Sequence, residues 1–348
     1  MRIRGIGRLR QIAQRVTNLF VPRAIILLYH RITELPSDPQ LLCVTPQHFR
    51  QHLEVLCKKG YPLSLQQIAQ SLRDGKSLLR SVVVTFDDGY ADNLYNARPL
   101  LKRYDVPATV FVTAGYVGSD REFWYDDLER IFLSPGRLPE VLRLSVEGKP
   151  YRWELGPADD YDNETYQSCR GWNVSRKENP SMRHLLYRSI FEILRPLPDA
   201  RRQNILDYLR QWAGVNTIQR PTHRTLSADE LVRLANGGLI EIGAHTVSHP
   251  VLAAMPLDLQ KEEISHSKTR LEKILGRRVS SFAYPFGGRS HYTDETVAAV
   301  REFGFESACS SFAGTVCRGT DRWQLPRFLV RDWDGEQFGR YFEGWING

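Results

Sequence analysis

The 348-residue sequence has five cysteines, Cys43, Cys57, Cys169, Cys309 and Cys317, and no CxxC pair among them. That spacing excludes zinc-finger and thioredoxin-type motifs. The odd count argues against a disulfide framework, so reduced thiols and a cytoplasmic compartment are expected. Long hydrophobic runs are also missing: the stretch "AIILLY" falls far short of the ~20 apolar residues that cross a bilayer. Residues 1–23 carry six arginines and no acid, but lack the uninterrupted apolar core of a secretory signal. Their apolar residues Ile6, Leu9, Ile12, Val16, Leu19 and Phe20 fall near helical spacing. Such a segment suits peripheral contact of residues 1–20 with an anionic membrane, a reading that competes with a solvated leader or a helix docked on the domain. There is no GxSxG elbow and no GxxxxGK[ST] loop, so serine-hydrolase and P-loop chemistry are unsupported. There is also no internal repeat. The net charge of +7 suits an anionic partner, although a merely basic surface accounts for it as well; no nucleic acid is expected.

What is present is alternation. Apolar strand-like runs at 24–30, 82–86 and 108–113 are separated by helical patterns, the first at 45–60 with Thr45 as N-cap and Gly60 as stop. The rhythm breaks from about 119 to 225, a segment too long for a loop and patterned for helices, and is read as a mainly helical insertion. It resumes with a capping-box pattern at Ser227 and Glu230, then the strand "LIEIGAH" and a long helix over 257–275. The strands "SSFAYPFG" and "FESACS" and a terminal "LPRFLVRDW" follow. This order predicts an α/β fold with a mainly parallel sheet or barrel over 24–348, preceded by the basic segment 1–23.

Polar residues sit where these strands should end: "YHR" (29–31), "TFDDG" (85–89), "HTVSH" (245–249) and "YPFGG" (284–288). In parallel α/β folds the C-terminal ends of the strands share one rim, so residues distant in sequence converge there. Asp87 and Asp88 are adjacent like charges at the mouth of an apolar strand, and a buried carboxylate needs compensation. His245 and His249, four apart, supply two imidazoles beside a candidate third ligand, Asp88. That donor set suits a divalent metal, most plausibly Zn²⁺, with Co²⁺, Ni²⁺ or Mn²⁺ as substitutes. The competing reading is an aspartate N-cap beside a hydrogen-bonded histidine pair. His48 and His52 have the same spacing but lie inside an ordinary amphipathic helix, and are read as packed or surface residues.

"TFDDGYADN", "HTVSHP" and "FAYPFG", in that order, resemble the first three motifs of the polysaccharide deacetylases, the NodB-homology domains of carbohydrate esterase family 4. The motif layout is nearest to the poly-N-acetylglucosamine deacetylase-like branch. The resemblance implies a distorted (β/α) barrel of about seven strands that hydrolyses acyl groups on sugars. It implies Asp87 as general base, Asp88, His245 and His249 as metal ligands, and the Phe286 backbone N–H as an oxyanion donor. Tyr284, Pro285 and Tyr90 become candidate substrate-binding residues. Two positions depart from the family pattern. The arginine that commonly braces the base is replaced by Ala283, and Arg327 is the candidate stand-in. No histidine follows His291, so the general acid falls to His30 on the first strand, as in the poly-N-acetylglucosamine branch. Asp332 and Asp334 are read as helix caps before any role in orienting Arg327.

The expected activity is metal-dependent removal of N-acetyl groups from an amino-sugar polysaccharide or glycolipid precursor, in bacterial cell-surface or exopolysaccharide biosynthesis. The rivals are a non-catalytic glycan-binding protein, a deformylase or an O-deacetylase of a lipid-linked sugar. A glycosidase using Asp87 and Asp88 is set aside, because neighbouring strand residues point to opposite faces and the histidines would lack a role. The aromatics Phe123, Trp124, Tyr125, Trp153 and Trp172 suit either sugar stacking or a helical mini-core, the latter preferred.

Overall fold

A computed structural model describes residues 23–216 and 218–347; the N-terminal basic segment lies outside them. Seven strands wind in parallel around one sheet: β1 (Ala24–Tyr29), β2 (Ser81–Phe86), β3 (Ala108–Val112), β4 (Ile240–Ala244), β5 (Ser281–Ala283), β6 (Ser307–Cys309) and β7 (Phe328–Leu329). Their order is β6-β5-β4-β3-β2-β1-β7, with Tyr61–Pro62 added alongside the start of β2. β1 ("AIILLY") and β2 ("SVVVTF") are buried at every position, as expected of strands covered on both faces.

One segment joins the two edges. Its N-terminal part bonds β6, through Ala308 N–H to the Arg322 carbonyl and Leu325 N–H to the Ala308 carbonyl (2.8 Å each). Three residues later the same segment becomes β7 and pairs with β1 at Leu27–Phe328 and Leu28–Leu329. The sheet is thereby a parallel half-barrel wrapped by helices, whose open edges are tied by 322–329. The first helix, α1 (Pro46–Lys59), starts where Thr45 accepts from the His48 N–H and buries Phe49, His52, Leu53 and Leu56 on one face. The capping box at Ser227 and Glu230 opens the helix Ala228–Ala235.

A second hydrophobic core lies beside the barrel. The helix α2 (Trp124–Phe132) packs against α3 (Met182–Leu194) and α4 (Asp199–Ala213), burying Phe123, Trp124, Leu128, Tyr187, Leu206 and Leu209. This part is less uniformly helical than its composition suggests. An antiparallel hairpin pairs Val141–Val146 with Lys149–Glu154 around a Glu147–Gly148 turn. Alternating burial of Leu142, Leu144 and Val146 is the period-2 signal that identifies it.

Candidate active site

The predicted rim exists. The ends of β1, β2 and β4 and the loop after β5 face one cleft of about 210 Å³, lined by His30, Asp87, Asp88, His245, His249 and Phe286, with Tyr125 and Phe191 from the second core. A larger groove of about 860 Å³ between the hairpin and α4 holds none of these residues.

Adjacent aspartates on a regular strand would face opposite ways. Here β2 stops at Phe86 and Asp88 adopts a left-handed backbone with φ 75°, so both carboxyls turn into the same cleft. The alternation assumed from sequence therefore ends one residue too early to separate them. Eight non-glycine residues of the described chain have positive φ, and four of these, Asp88, Thr246, His249 and Phe286, belong to this site. For a β-branched residue such as Thr246 this conformation is an outlier, and each such residue is disfavoured by about 1–3 kcal/mol unless its surroundings fix it.

Asp88, His245 and His249 are buried, and their ligating atoms lie within 4.8 Å of one another. Both imidazole Nε2 atoms face Asp88 Oδ1, His249 at 3.4 Å and His245 at 3.7 Å. Donors held about 2.0–2.2 Å from a single Zn²⁺ stand roughly this far apart. Asp88 Oδ1 is buried without a hydrogen-bond partner, an orphan acceptor that a cation would satisfy. His245 Nδ1 lies 2.7 Å from the Ala283 carbonyl, which fixes the ring and leaves Nε2 facing the cleft. The residues thus fit a divalent cation. Without one, burial and then the Asp87 charge push the Asp88 carboxyl up to about 7, and burial depresses both histidines.

Asp87 is paired differently. Arg327, fully buried, donates from Nη1 to Oδ1 and from Nη2 to Oδ2 of Asp87, both at 2.7 Å, while its Nε reaches the Ser310 carbonyl at 2.6 Å. Burial pushes the Asp87 carboxyl up, but the guanidinium, with His245 behind it, outweighs this and holds it below the usual carboxylate range. The arginine missing at position 283 is therefore supplied in space from the closing segment. His30 lines the cleft, and burial pulls its imidazole down to about 4.

Three candidate substrate-binding residues face elsewhere. The Tyr284 hydroxyl donates to the Trp323 carbonyl, and its ring stacks on Tyr292 at 4.0 Å, because the strand alternation turns it into the barrel wall. Pro285 is buried beside it and does not line the cleft. Tyr90 is buried under Arg31 and donates to Asp126 at 2.7 Å. The aromatics Phe123, Trp124 and Trp172 are core residues, and Trp153 is packed partly against them. Tyr125 was grouped with these by composition, yet its hydroxyl donates to Asp88 Oδ2 at 2.8 Å and orients the candidate ligand. The one sequence signal for it was its place in "FWYDD", next to acids that stay buried. Asp334 caps the last helix through the Gln337 N–H, whereas Asp332 instead binds Thr45 and His48 at the start of α1. His52, buried between the Tyr29 hydroxyl and the Trp333 carbonyl, is a packing residue.

Comparison with known proteins places this half-barrel and its rim in a class, that of the polysaccharide deacetylases. The sequence matches the family model for polysaccharide deacetylase over residues 74–146 and 198–308, and the chain belongs to that family. It is 36% identical over 95 residues to YxkH of Bacillus subtilis, covering 27% of this chain and 33% of that protein. It is 31% identical over 86 residues to the poly-β-1,6-N-acetyl-D-glucosamine N-deacetylase of Escherichia coli K12, covering 24% of this chain and 13% of that protein. The matches thus span a third or less of these relatives. Among solved structures, the Streptococcus pyogenes deacetylase PplD in complex with acetate superposes with a TM-score of 0.56 at 18% identity, covering 92% of this chain and 98% of that one. IcaB from Ammonifex degensii superposes with a TM-score of 0.56 at 20% identity, covering 94% and 98%. At these identities the superpositions establish the fold.

Proposed function

We propose that the protein is a metal-dependent N-deacetylase of acetylated amino-sugar glycans. The observation that carries this reading is the division of labour between adjacent carboxylates. Asp88 has an orphan oxygen facing two imidazoles, while Asp87 is held charged by a bidentate arginine and has no such vacancy in its bonding. A divalent cation on Asp88, His245 and His249 would polarise the acyl carbonyl and acidify water. Asp87, oriented by Arg327, accepts the proton of the attacking water. The Phe286 N–H, from a residue that lines the cleft, would be the oxyanion donor, and a backbone donor serves whether the side chain is phenylalanine or tyrosine. His30 is neutral at rest, so it donates to the leaving nitrogen only after taking up a proton released earlier in the cycle. The balanced products are acetate and a free amine on the sugar. Relatives named as poly-N-acetylglucosamine deacetylases support a polymeric β-linked N-acetylglucosamine substrate and a role in cell-surface or exopolysaccharide assembly. Within the described residues no helix is long and apolar enough to cross a membrane.

The test is acetate release from N-acetylated glucosamine oligomers by chelator-stripped protein, before and after Zn²⁺ is restored. Activity should appear with the metal. In Asp87→Asn it should fall by about 10²–10⁴ while metal content is retained. Near-normal turnover in that variant would reject Asp87 as the base.

A further inference from the structure

The loop that presents His245 and His249 has its polar backbone tied from three directions. From the barrel, Val112 accepts the His245 N–H, and the Ala114 and Gly115 N–H groups reach the Thr246 and Val247 carbonyls at 2.9 and 2.8 Å. Gly115 allows that approach, since a Cβ there would lie 2.4 Å from the Val247 oxygen. From the helix Leu257–Leu275, Glu263 accepts the Val247 and Ser248 N–H groups at 2.7 and 2.9 Å and the Ser248 hydroxyl at 2.7 Å. Among the described residues, the last two carbonyls are met only from the second core. Arg202 on α4, fully buried, donates from Nη2 to Ser248 O at 2.8 Å and from Nη1 to His249 O at 3.2 Å. Its guanidinium lies 5.6 Å from the Trp124 ring, and its nearest carboxylate, Asp199, is 3.6 Å away.

We infer that Arg202 is a positioning residue for the metal site, through which the second core sets the orientation of His249. The inference rests on the metal-dependent reading above. His249 has a left-handed backbone at φ 57°, and Thr246, which accepts the His249 N–H at 3.0 Å, is at φ 62°. Such a loop springs toward ordinary conformations unless it is held, and the two carbonyls that flank the ligand are held by one guanidinium. The hydrogen bonds of Arg202 go to two backbone carbonyls, at 2.8 and 3.2 Å, while the Asp199 carboxylate stands farther off at 3.6 Å, so the guanidinium serves the backbone more than an ion pair. Its geometry suits holding a backbone in place, and that backbone carries a ligand. By contrast, the buried Arg183 on α3 makes the same kind of contact with Ala158, Gly136 and Asp159, none of them near the cleft.

The experiment measures Zn²⁺ affinity by chelator competition, together with melting of the metal-free protein, for wild type, Arg202→Met, Arg202→Lys and Arg183→Ala. Arg202→Met should weaken Zn²⁺ binding about 10–100-fold, the range seen when a residue behind a metal ligand is lost. Arg202→Lys, able to reach one carbonyl, should fall between it and wild type. Arg183→Ala should destabilise the metal-free fold while leaving affinity unchanged. Affinity in Arg202→Met within twofold of wild type would overturn the inference. An equal loss in Arg183→Ala would do the same by showing general destabilisation. If Arg202→Met does not fold, Arg202→Lys decides by the same criterion. Wild-type protein without measurable Zn²⁺ affinity would refute the metal reading itself.

Discussion

The barrel and the second core both bury arginines, but most of them against different partners. In the barrel, Arg327 meets the carboxylate of Asp87, and Arg31 meets Asp92. In the second core, buried Arg183 and Arg202 and half-buried Arg188 meet backbone carbonyls, while Arg210, also buried, is the exception and pairs with Asp127. The difference follows from how each region satisfies its main chain. Barrel strands bond their carbonyls to one another, so a guanidinium inside is available to a side chain, where it sets the charge and direction of the proposed base. The second core has long irregular stretches around its hairpin and helices. Its carbonyls need donors that regular structure does not supply, and arginine, with five N–H groups in a fixed fork, is suited to that work.

This contrast can be broken by mutation. The largest effect is expected for Arg327→Met, which strands a buried carboxylate. Removing one partner of such a pair destabilises by about 3–5 kcal/mol, and turnover should fall with it. Chemical denaturation and acetate release read the two losses. Adding Asp87→Asn to Arg327→Met should restore much of the stability and none of the activity. Arg183→Ala should be smaller, since each carbonyl left unmet is disfavoured by about 1–3 kcal/mol and some gain water. Its kcat should match wild type, and a large fall would erase the proposed distinction between the regions.

Acid should probe both regions at once. Burial holds the imidazoles of His52, in the barrel, and His184, in the second core, down to about 4 from an ordinary 6.5. The unfolded chain then binds more protons, so the stability tied to these groups is whole above pH 6.5 and declines as pH falls toward 4. For His52 the ceiling is about 3 kcal/mol. Melting curves across that window should show the decline, and His52→Gln and His184→Gln should each flatten part of it. The smallest effect belongs to Phe286→Tyr. Turnover should change by no more than about twofold, because the backbone N–H is the proposed donor; a large change would move the role to the side chain.

The alternation of strands and helices was legible because buried parallel strands are continuous apolar runs, as "AIILLY" and "SVVVTF" show. The clustering of Asp88, His245 and His249 was legible from strand-end position and spacing. The opposite-face argument for Asp87 and Asp88 failed because a single left-handed residue cancels alternation, and aspartate in that position leaves no compositional mark as glycine would. Tyr284 and Tyr90 were misplaced for a related reason: adjacency to a motif does not say which way a side chain points. Tyr125 and Arg202 were out of reach because their partners, a carboxylate and two carbonyls, lie 37 to 47 positions away. The hairpin at 141–154 was legible in principle from the alternation of Leu142, Leu144 and Val146, but one short period-2 run was outweighed by the longer helical patterns around it.

The closing segment has a bearing on when the protein becomes competent. Arg327 stands 240 positions after Asp87, and it reaches that carboxylate from the segment that ties the barrel's last edge to its first. During synthesis, Asp87 leaves the ribosome long before its partner exists, and for that interval it is an unbraced acid at the end of an open sheet. The act that ties the barrel's edges is also the act that pairs Asp87, so a chain that stalls before residue 327 yields a partial fold in which the proposed base has no partner.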